Sequence, residues 1–308
     1  MSLKILFMGT PDFAVPVLKS IHQSKYELLG VYTQPPKKKF RGQKVISSPI
    51  HQCAEKLKIP VRCPENINTE KEHKYIKDLN PNIVIVVAYG KIIPEKILNL
   101  SCISFINIHA SVLPKWRGAA PIQRAIMNMD KETGISIMRI TKDLDAGPVM
   151  MTVKIDIKKN SNYESLSKEI SALSAHTIID CLYILENKKD KFVPQDDSKA
   201  TYAKKISKEE TQISWNNKAK NIIAKINALH PHPGCWFNLD GVRIKGIEAK
   251  EAKIKGKPGE IVNEEFTIAS LENSVQIIKL KKEGKKSMSA SSFLMGNKLQ
   301  VGKNLNEI

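Results

Sequence analysis

Pro81-Asn82-Ile83-Val84-Ile85-Val86-Val87-Ala88-Tyr89-Gly90 sets five consecutive β-branched residues between a Pro-Asn break and a glycine. A strand with one wet face alternates apolar and polar residues. This run does not, so it reads as a strand buried on both faces, the position such strands take in a parallel sheet covered by helices. Working outward, residues 3–8 form another apolar run that stops at Gly9-Thr10-Pro11, and Phe13, Val17, Leu18 and Ile21 then recur at roughly helical spacing. The alternation continues with a strand over 26–32, a helix over 50–57, a short strand from about Val61, a helix over 69–79, the 83–87 strand itself, and a further strand running into Asn107. Strands alternating with helices predict an α/β domain with a doubly wound, mostly parallel sheet and right-handed crossovers. In such a sheet, ligands collect at the carboxyl ends of the strands.

A long amphipathic helix is expected over 163–185, with Leu166, Ile170, Leu173 and Ile178 on one stripe, followed by the polar tract Asn187-Lys188-Lys189-Asp190-Lys191. Beyond Ser207 the texture changes. One helical stretch (219–228) gives way to short β-like runs broken by Pro231, Pro233, Gly234, Gly241, Gly246, Gly256, Pro258 and Gly259, the pattern of a small antiparallel, OB-like β-barrel. The expected organisation is therefore a first domain over 1–186, a linker over 187–206 and a smaller β-barrel domain over 207–308. Trp215 and Trp236 are expected in the core.

The chain has 308 residues, 49 Lys+Arg and 31 Asp+Glu, for a formal charge of +18. Forty-two per cent hydrophobic residues provide a sizeable core and exclude general disorder. The longest apolar stretch, around 83–89, is far short of the ~20 residues needed to cross a bilayer. The start lacks the apolar core of a secretory signal, so a cytoplasmic protein is expected. Five cysteines, odd in number and without a C-x-x-C pair, exclude a disulfide framework or a cysteine zinc site and read as reduced, buried thiols. Neither G-x-G-x-x-G nor G-x-x-x-x-G-K-[ST] occurs, which argues against dinucleotide and P-loop sites. The positive charge is clustered: Lys37, Lys38, Lys39, Arg41 and Lys44 crowd one loop, and Lys279, Lys281, Lys282, Lys285 and Lys286 lie close together near the C-terminus. Clusters of this kind suit a phosphate-bearing polyanion. Phe40 adds a stacking surface to the first.

The chemistry-bearing segment is Asn107-Ile108-His109-Ala110-Ser111-Val112-Leu113-Pro114-Lys115-Trp116-Arg117-Gly118, which leaves the carboxyl end of a predicted strand. Residues two apart in an extended chain point to one side, so Asn107 and His109 can face one site. An amide that donates to a developing oxyanion and an imidazole that moves protons suit acyl transfer. Downstream, Asp143-Leu144-Asp145-Ala146-Gly147-Pro148 forms a tight acidic turn, and a carboxylate is the usual partner that orients an imidazole. Spacing leaves open whether Asp145 meets His109 or is a solvated turn residue.

The N-x-H-x-S-x-L-P-x-x-x-G pattern over 107–118, with Leu144-Asp145-Ala146-Gly147, resembles the signature of the formyltransferases that use 10-formyltetrahydrofolate. Gly9-Thr10-Pro11-Asp12-Phe13-Ala14, Thr33-Gln34-Pro35, the run from Trp116 to Arg124 and Tyr202-Ala203-Lys204-Lys205-Ile206 extend the likeness over essentially the whole chain. It is nearest to the branch that formylates initiator methionyl-tRNA. The resemblance implies catalytic roles for Asn107, His109 and Asp145, and a folate site formed by Ser111, Val112, Leu113 and Pro114 with a pterin wall of Val87, Tyr89, Gly90 and Ile92. It also implies a tRNA-binding loop of Lys37, Lys38, Lys39, Arg41, Gly42 and Lys44, of which Arg41 and Gly42 match best, and no metal. Asp143 stands where the family usually has glycine. A monomer is expected. The alternatives are a relative acting on glycinamide ribonucleotide or an amino sugar nucleotide, and an RNA-binding protein on an inactive scaffold. The residues after Ser207 and the intact trio favour the tRNA branch.

Overall fold

A computed structural model describes residues 2–39, 44–100 and 103–306. The described residues divide into two compact units, Met1–Gly118 with Thr133–Ile155 and Ser167–Tyr202, and Ala119–Glu132 with Asp156–Leu166 and Ala203–Ile308.

The first unit is built on a seven-stranded sheet in the order Val149–Asp156, Glu132–Arg139, Ser104–His109, Ile83–Val87, Lys4–Gly9, Glu27–Tyr32, Val61–Arg62. From Ser104–His109 to Val61–Arg62 every pairing is parallel, and Glu132–Arg139 joins antiparallel to Ser104–His109. The strand Ile83–Val87 sits between two parallel neighbours with all five residues buried, as its lack of alternation requires. Leu6, Met8, Val84 and Val86 pack in one cluster with Ile76 and Ile97 from the helices Glu70–Leu79 and Glu95–Leu98. The alternate residues, Ile5, Phe7 and Ile85, face the other way by the period of the strand and are also fully buried. Helices thus start where they are needed to cover a sheet that exposes no wet face. Ser48 and Thr69 accept hydrogen bonds from His51 N and Glu72 N, capping two of them.

The chain builds outward from Lys4–Gly9 through Glu27–Tyr32 to Val61–Arg62, then returns to the other side of Lys4–Gly9 with Ile83–Val87. The direction of winding reverses between these two strands, and their carboxyl ends open the crevice where such sheets bind ligands. The doubly wound sheet therefore matches the expectation. The antiparallel pair at its edge does not figure in it: Val149–Asp156 is half-buried over its first three residues and alternates only from Met151 on, and it returns along Glu132–Arg139 after the intervening Asp145 turn.

In the second unit, Cys235–Leu239, Val242–Ala252, Ser274–Lys282, Thr267–Ala269 and Ile261–Asn263 pair in that order, with Met288–Ser289 on Ser274–Lys282, all antiparallel. Ile222, Ile226 and Leu229 of the helix Ala219–Leu229 share the core with Trp215, Phe237, Phe266 and Ile277. Trp215 is core as expected. Trp236 is not: it is half-buried, its Nε1 donates to Thr211 Oγ1 at 3.0 Å, and the Arg243 guanidinium lies 3.9 Å from the ring centre. Strand alternation explains the difference, since Cys235, Phe237 and Leu239 take the buried face. Among the described residues no helix is long and apolar enough to cross a membrane.

Candidate active site

The carboxyl end of Ser104–His109 delivers Asn107 and His109 to one side, as their two-residue spacing requires, and both meet Asp145. Asn107 Nδ2 donates to Asp145 Oδ1 at 3.4 Å, and His109 Nδ1 lies 3.5 Å from Asp145 Oδ2. The backbone N–H of Gly118 donates to the same Oδ2 at 2.9 Å. One carboxylate thus holds an amide, an imidazole and a main-chain donor, so Asp145 is a partner of His109 and not a solvated turn residue. His109 is buried, and its Nε2 lies 2.8 Å from the carbonyl oxygen of Trp116. A carbonyl only accepts, so Nε2 carries the proton of that contact.

Asp145 reaches this position through an unusual backbone. Its φ is +48°, in the left-handed region. Gly147 allows the turn to lie against the neighbouring strand, because a Cβ there would stand 2.0 Å from the carbonyl oxygen of Arg139. Gln195 closes the turn, donating from Nε2 to the carbonyl oxygens of Asp145 at 2.8 Å and Gly147 at 2.7 Å. Its Oε1 accepts from Arg117 Nε at 3.1 Å and Nη2 at 2.9 Å. Sequence reasoning missed Gln195 altogether, since it lies 50 residues from Asp145 in a tract that reads as linker. Asp143 is exposed, with its carbonyl oxygen accepting from Ala146 N, so its carboxylate stands in solvent.

The residues matched to folate binding fall into two groups. Val87 and Tyr89 are buried at the carboxyl end of the Ile83–Val87 strand, Gly90 follows with φ +78°, and Ile92 is 90% exposed. Thr10 Oγ1 donates to the Tyr89 carbonyl oxygen at 2.8 Å across the point where the sheet winding reverses, and Gln34 Nε2 donates to the carbonyls of Tyr89 and Gly90. Burial pushes the Tyr89 hydroxyl up to about 12, and it has no hydrogen-bond partner among the described residues. In the second group, Ser111 is fully buried and donates to the carbonyl of Lys115, while Leu113 N donates to Ser136 Oγ, which itself donates to the Ser111 carbonyl. The hydroxyl of Ser111 therefore shapes its own loop. Val112 and Pro114 are half-buried beside it. A buried apolar wall and an uncovered Ile92, with main-chain groups held in place, suit a planar heterocycle with polar edges.

In the basic segment, Lys37–Lys39 pairs antiparallel with Lys44–Ile46, so the stem is a short ribbon. Lys37 is exposed and its Nζ donates to Gln34 Oε1 at 2.6 Å. Arg41 and Gly42 lie outside the described residues, as do the side chains of Lys38, Lys39 and Lys44. Among the described residues no group of three or more His, Cys, Asp or Glu is arranged to hold a metal ion. Burial pushes the Cys181 and Cys235 thiols up to about 12, which leaves them poor nucleophiles.

The sequence profile described as Formyl transferase matches residues 3–182, and that of Formyl transferase, C-terminal domain, matches residues 205–298. A methionyl-tRNA formyltransferase of Pelagibacter ubique is 46% identical over 310 residues, covering 100% of both chains. Among solved structures, HypX from Aquifex aeolicus in complex with tetrahydrofolic acid matches with a TM-score of 0.64 at 17% identity, over 98% of this chain and 51% of that one. A methionyl-tRNA formyltransferase from Clostridium thermocellum matches with a TM-score of 0.56 at 18% identity, over 80% of this chain and 93% of that one.

Proposed function

This chain belongs to the formyl transferase family, and from that premise we propose that it transfers a formyl group from 10-formyltetrahydrofolate to the α-amine of initiator methionyl-tRNA. The observation that carries the chemistry is the meeting of Asn107 and His109 on one carboxylate, Asp145. The neutral α-amine attacks the formyl carbon on N10 of the folate. Negative charge develops on the formyl oxygen, where the Asn107 amide donates a hydrogen bond. His109 takes the proton that the attacking nitrogen releases and returns one to N10, so the C–N10 bond breaks without expelling an amide anion. Asp145 orients the ring and stabilises its cationic form, as carboxylates do for imidazoles in acyl transfer generally. Nδ1 faces Asp145; when substrate displaces the Trp116 carbonyl from Nε2, the ring proton sits on Nδ1 towards the carboxylate, and Nε2 becomes the free lone pair that takes the proton of the attacking amine.

For the folate, Val87, Tyr89, Gly90 and Ile92 serve as the pterin wall and the 111–114 loop as the opposite contact. For tRNA, the 37–44 segment serves, with Arg41 foremost. Residues 1–186 carry folate and the catalytic trio, 187–206 connect and also lend Gln195 to the Asp145 turn, and 207–308 hold tRNA, in a cytoplasmic monomer.

The test offers 10-formyltetrahydrofolate with initiator methionyl-tRNA, elongator methionyl-tRNA, free methionine and glycinamide ribonucleotide in parallel. Turnover confined to the initiator is expected. Turnover on glycinamide ribonucleotide would keep the trio and remove the tRNA assignment, and silence on all four would leave only a binding role.

A further inference from the structure

We propose that Gln195 is a positioning residue for the reaction: its amide locks the Asp145 turn in the one backbone conformation that presents the carboxylate to Asn107 and His109. The inference rests on the catalytic reading of that trio. Asp145 holds a left-handed φ of +48° without being glycine, and such a conformation persists only where its surroundings fix it. The Gln195 amide is the group that spans it. Its two N–H bonds reach the carbonyl oxygens at both ends of Asp145-Ala146-Gly147, at 2.8 and 2.7 Å.

The orientation of that amide is fixed by its other end. Oε1 faces two donors, Arg117 Nε and Nη2, while Nε2 faces two acceptors, so a flipped amide would set like against like at all four contacts. Arg117 is itself buried and is held by Asp197 Oδ1 at 2.6 Å. The residue after it, Gly118, donates its N–H to Asp145 Oδ2. Two adjacent residues therefore hold the catalytic carboxylate by two routes, directly through Gly118 N–H and indirectly through Arg117 and Gln195. The four hydrogen bonds of the Gln195 amide go to Arg117 and the turn, and none to Asn107 or His109; two of them hold the Asp145 turn directly, and the pair to Arg117 adjoins the Trp116 carbonyl at His109 Nε2, a second route that an Asp145→Ala background separates from the first.

Gln195→Met keeps the length of the side chain and removes both donors and the acceptor. Gln195→Glu keeps the acceptor for Arg117 and turns an oxygen towards the two carbonyls. Both should lower kcat by about 10- to 100-fold, the cost of ångström-scale misplacement of a catalytic group. KM for tRNA and for the folate should stay within about twofold, as expected when the loss falls on the transition state. The decisive measurement is the double-variant cycle in single turnover with enzyme in excess, where slow rates remain readable. In an Asp145→Ala background, Gln195→Met should change the rate by less than about twofold, because the group it positions is gone. The same factor in both backgrounds, or an unchanged kcat in Gln195→Met alone, would overturn the proposal. Full turnover in Asp145→Ala alone would instead overturn the trio reading. Should Gln195→Met fail to fold, judged by its thermal midpoint and tRNA affinity, the cycle is run with Gln195→Glu, for which the same outcomes decide.

Discussion

The Asp145 turn and the 37–46 ribbon both belong to the first unit, and they use charge in opposite ways. At the turn, one half-buried carboxylate meets an amide, an imidazole and a main-chain N–H, and its own backbone is held by Gln195. Every contact there has a direction and a length. The ribbon carries Lys37, Lys38, Lys39 and Lys44 on two short strands, with Lys37 exposed and lightly tied to Gln34. Chemistry on a formyl carbon needs the first kind of site, since a proton moves over a fraction of an ångström. Holding a polyanion needs only the second, because phosphates are many and mobile counterions supply the driving force.

The largest effect should come from breaking the turn's chemistry. His109→Ala or Asn107→Ala is expected to lower kcat by on the order of 10²–10³-fold. Affinity for tRNA, measured separately by filter binding, should stay unchanged. Near-normal turnover in either variant would remove that residue from the mechanism, and a parallel loss of tRNA affinity would mean that the two regions are not separable.

Salt should do the reverse. Affinity for tRNA is expected to drop by roughly 10- to 100-fold between about 50 and 200 mM salt, because each neutralised phosphate releases counterions. At saturating tRNA, kcat should hardly move over the same range, since the trio lies behind protein and is little screened. A flat binding curve would deny the ribbon its role. Arg41→Ala should raise KM for tRNA while folate binding survives; equal loss of both would indicate a folding defect.

These two regions are also unequally legible in the sequence. Asn107 and His109 can be paired from it because a strand has a strict period of two, and the run from Ile83 to Val87 declares its burial by lacking alternation. The basic cluster is visible as composition, but its ribbon is not, since three consecutive lysines carry no apolar period to mark a strand. Asp145 is visible only as a turn residue. Gln195 is invisible: four hydrogen bonds converge on an amide in a polar tract, and the chain separation of 50 to Asp145 and 78 to Arg117 leaves no local pattern. Short-range periodicity encodes elements, whereas a site assembled by loop return is encoded only in the closed fold.

A third variant asks whether buried charge elsewhere behaves like the turn. Glu72 accepts from Tyr32 Oη at 2.7 Å and from Arg62 Nε and Nη2 at 3.0 and 2.5 Å. Burial alone would raise its carboxyl, but the hydrogen bonds from Arg62 and Tyr32 hold it below the ordinary value. A depressed carboxyl stabilises the fold above the unfolded value of about 4.3, and that contribution fades as pH falls through the folded value. Glu72→Gln should therefore cost about 2 kcal/mol in urea unfolding at neutral pH, a typical worth for hydrogen bonds to a charged group. The difference should shrink towards zero in acid and stay nearly constant with salt. A difference independent of pH would show that the charge of Glu72 contributes nothing.

The smallest effects should separate two neighbouring lysines of the second unit. Lys279 and Lys281 lie on the exposed face of Ser274–Lys282, either side of buried Leu280. Their cross-strand partners differ: Lys279 stands opposite Glu248, and Lys281 opposite Lys245. The register places a carboxylate across a bulge from the first lysine and a cation, its Nζ donating to the Pro233 carbonyl oxygen at 2.7 Å, across from the second, so the local field is expected to favour phosphate more at Lys281. If this face meets phosphates, Lys281→Ala should weaken tRNA binding by about two- to threefold and lower the salt slope by about 1, the change expected when one phosphate goes unneutralised. Lys279→Ala should do less on both measures, because the carboxylate opposite it lowers the positive field that phosphate meets there. Equal losses would mean that the cross-strand partner does not tune phosphate binding. A larger loss for Lys279 would mean that phosphate sits nearer to it and that proximity outweighs the local field.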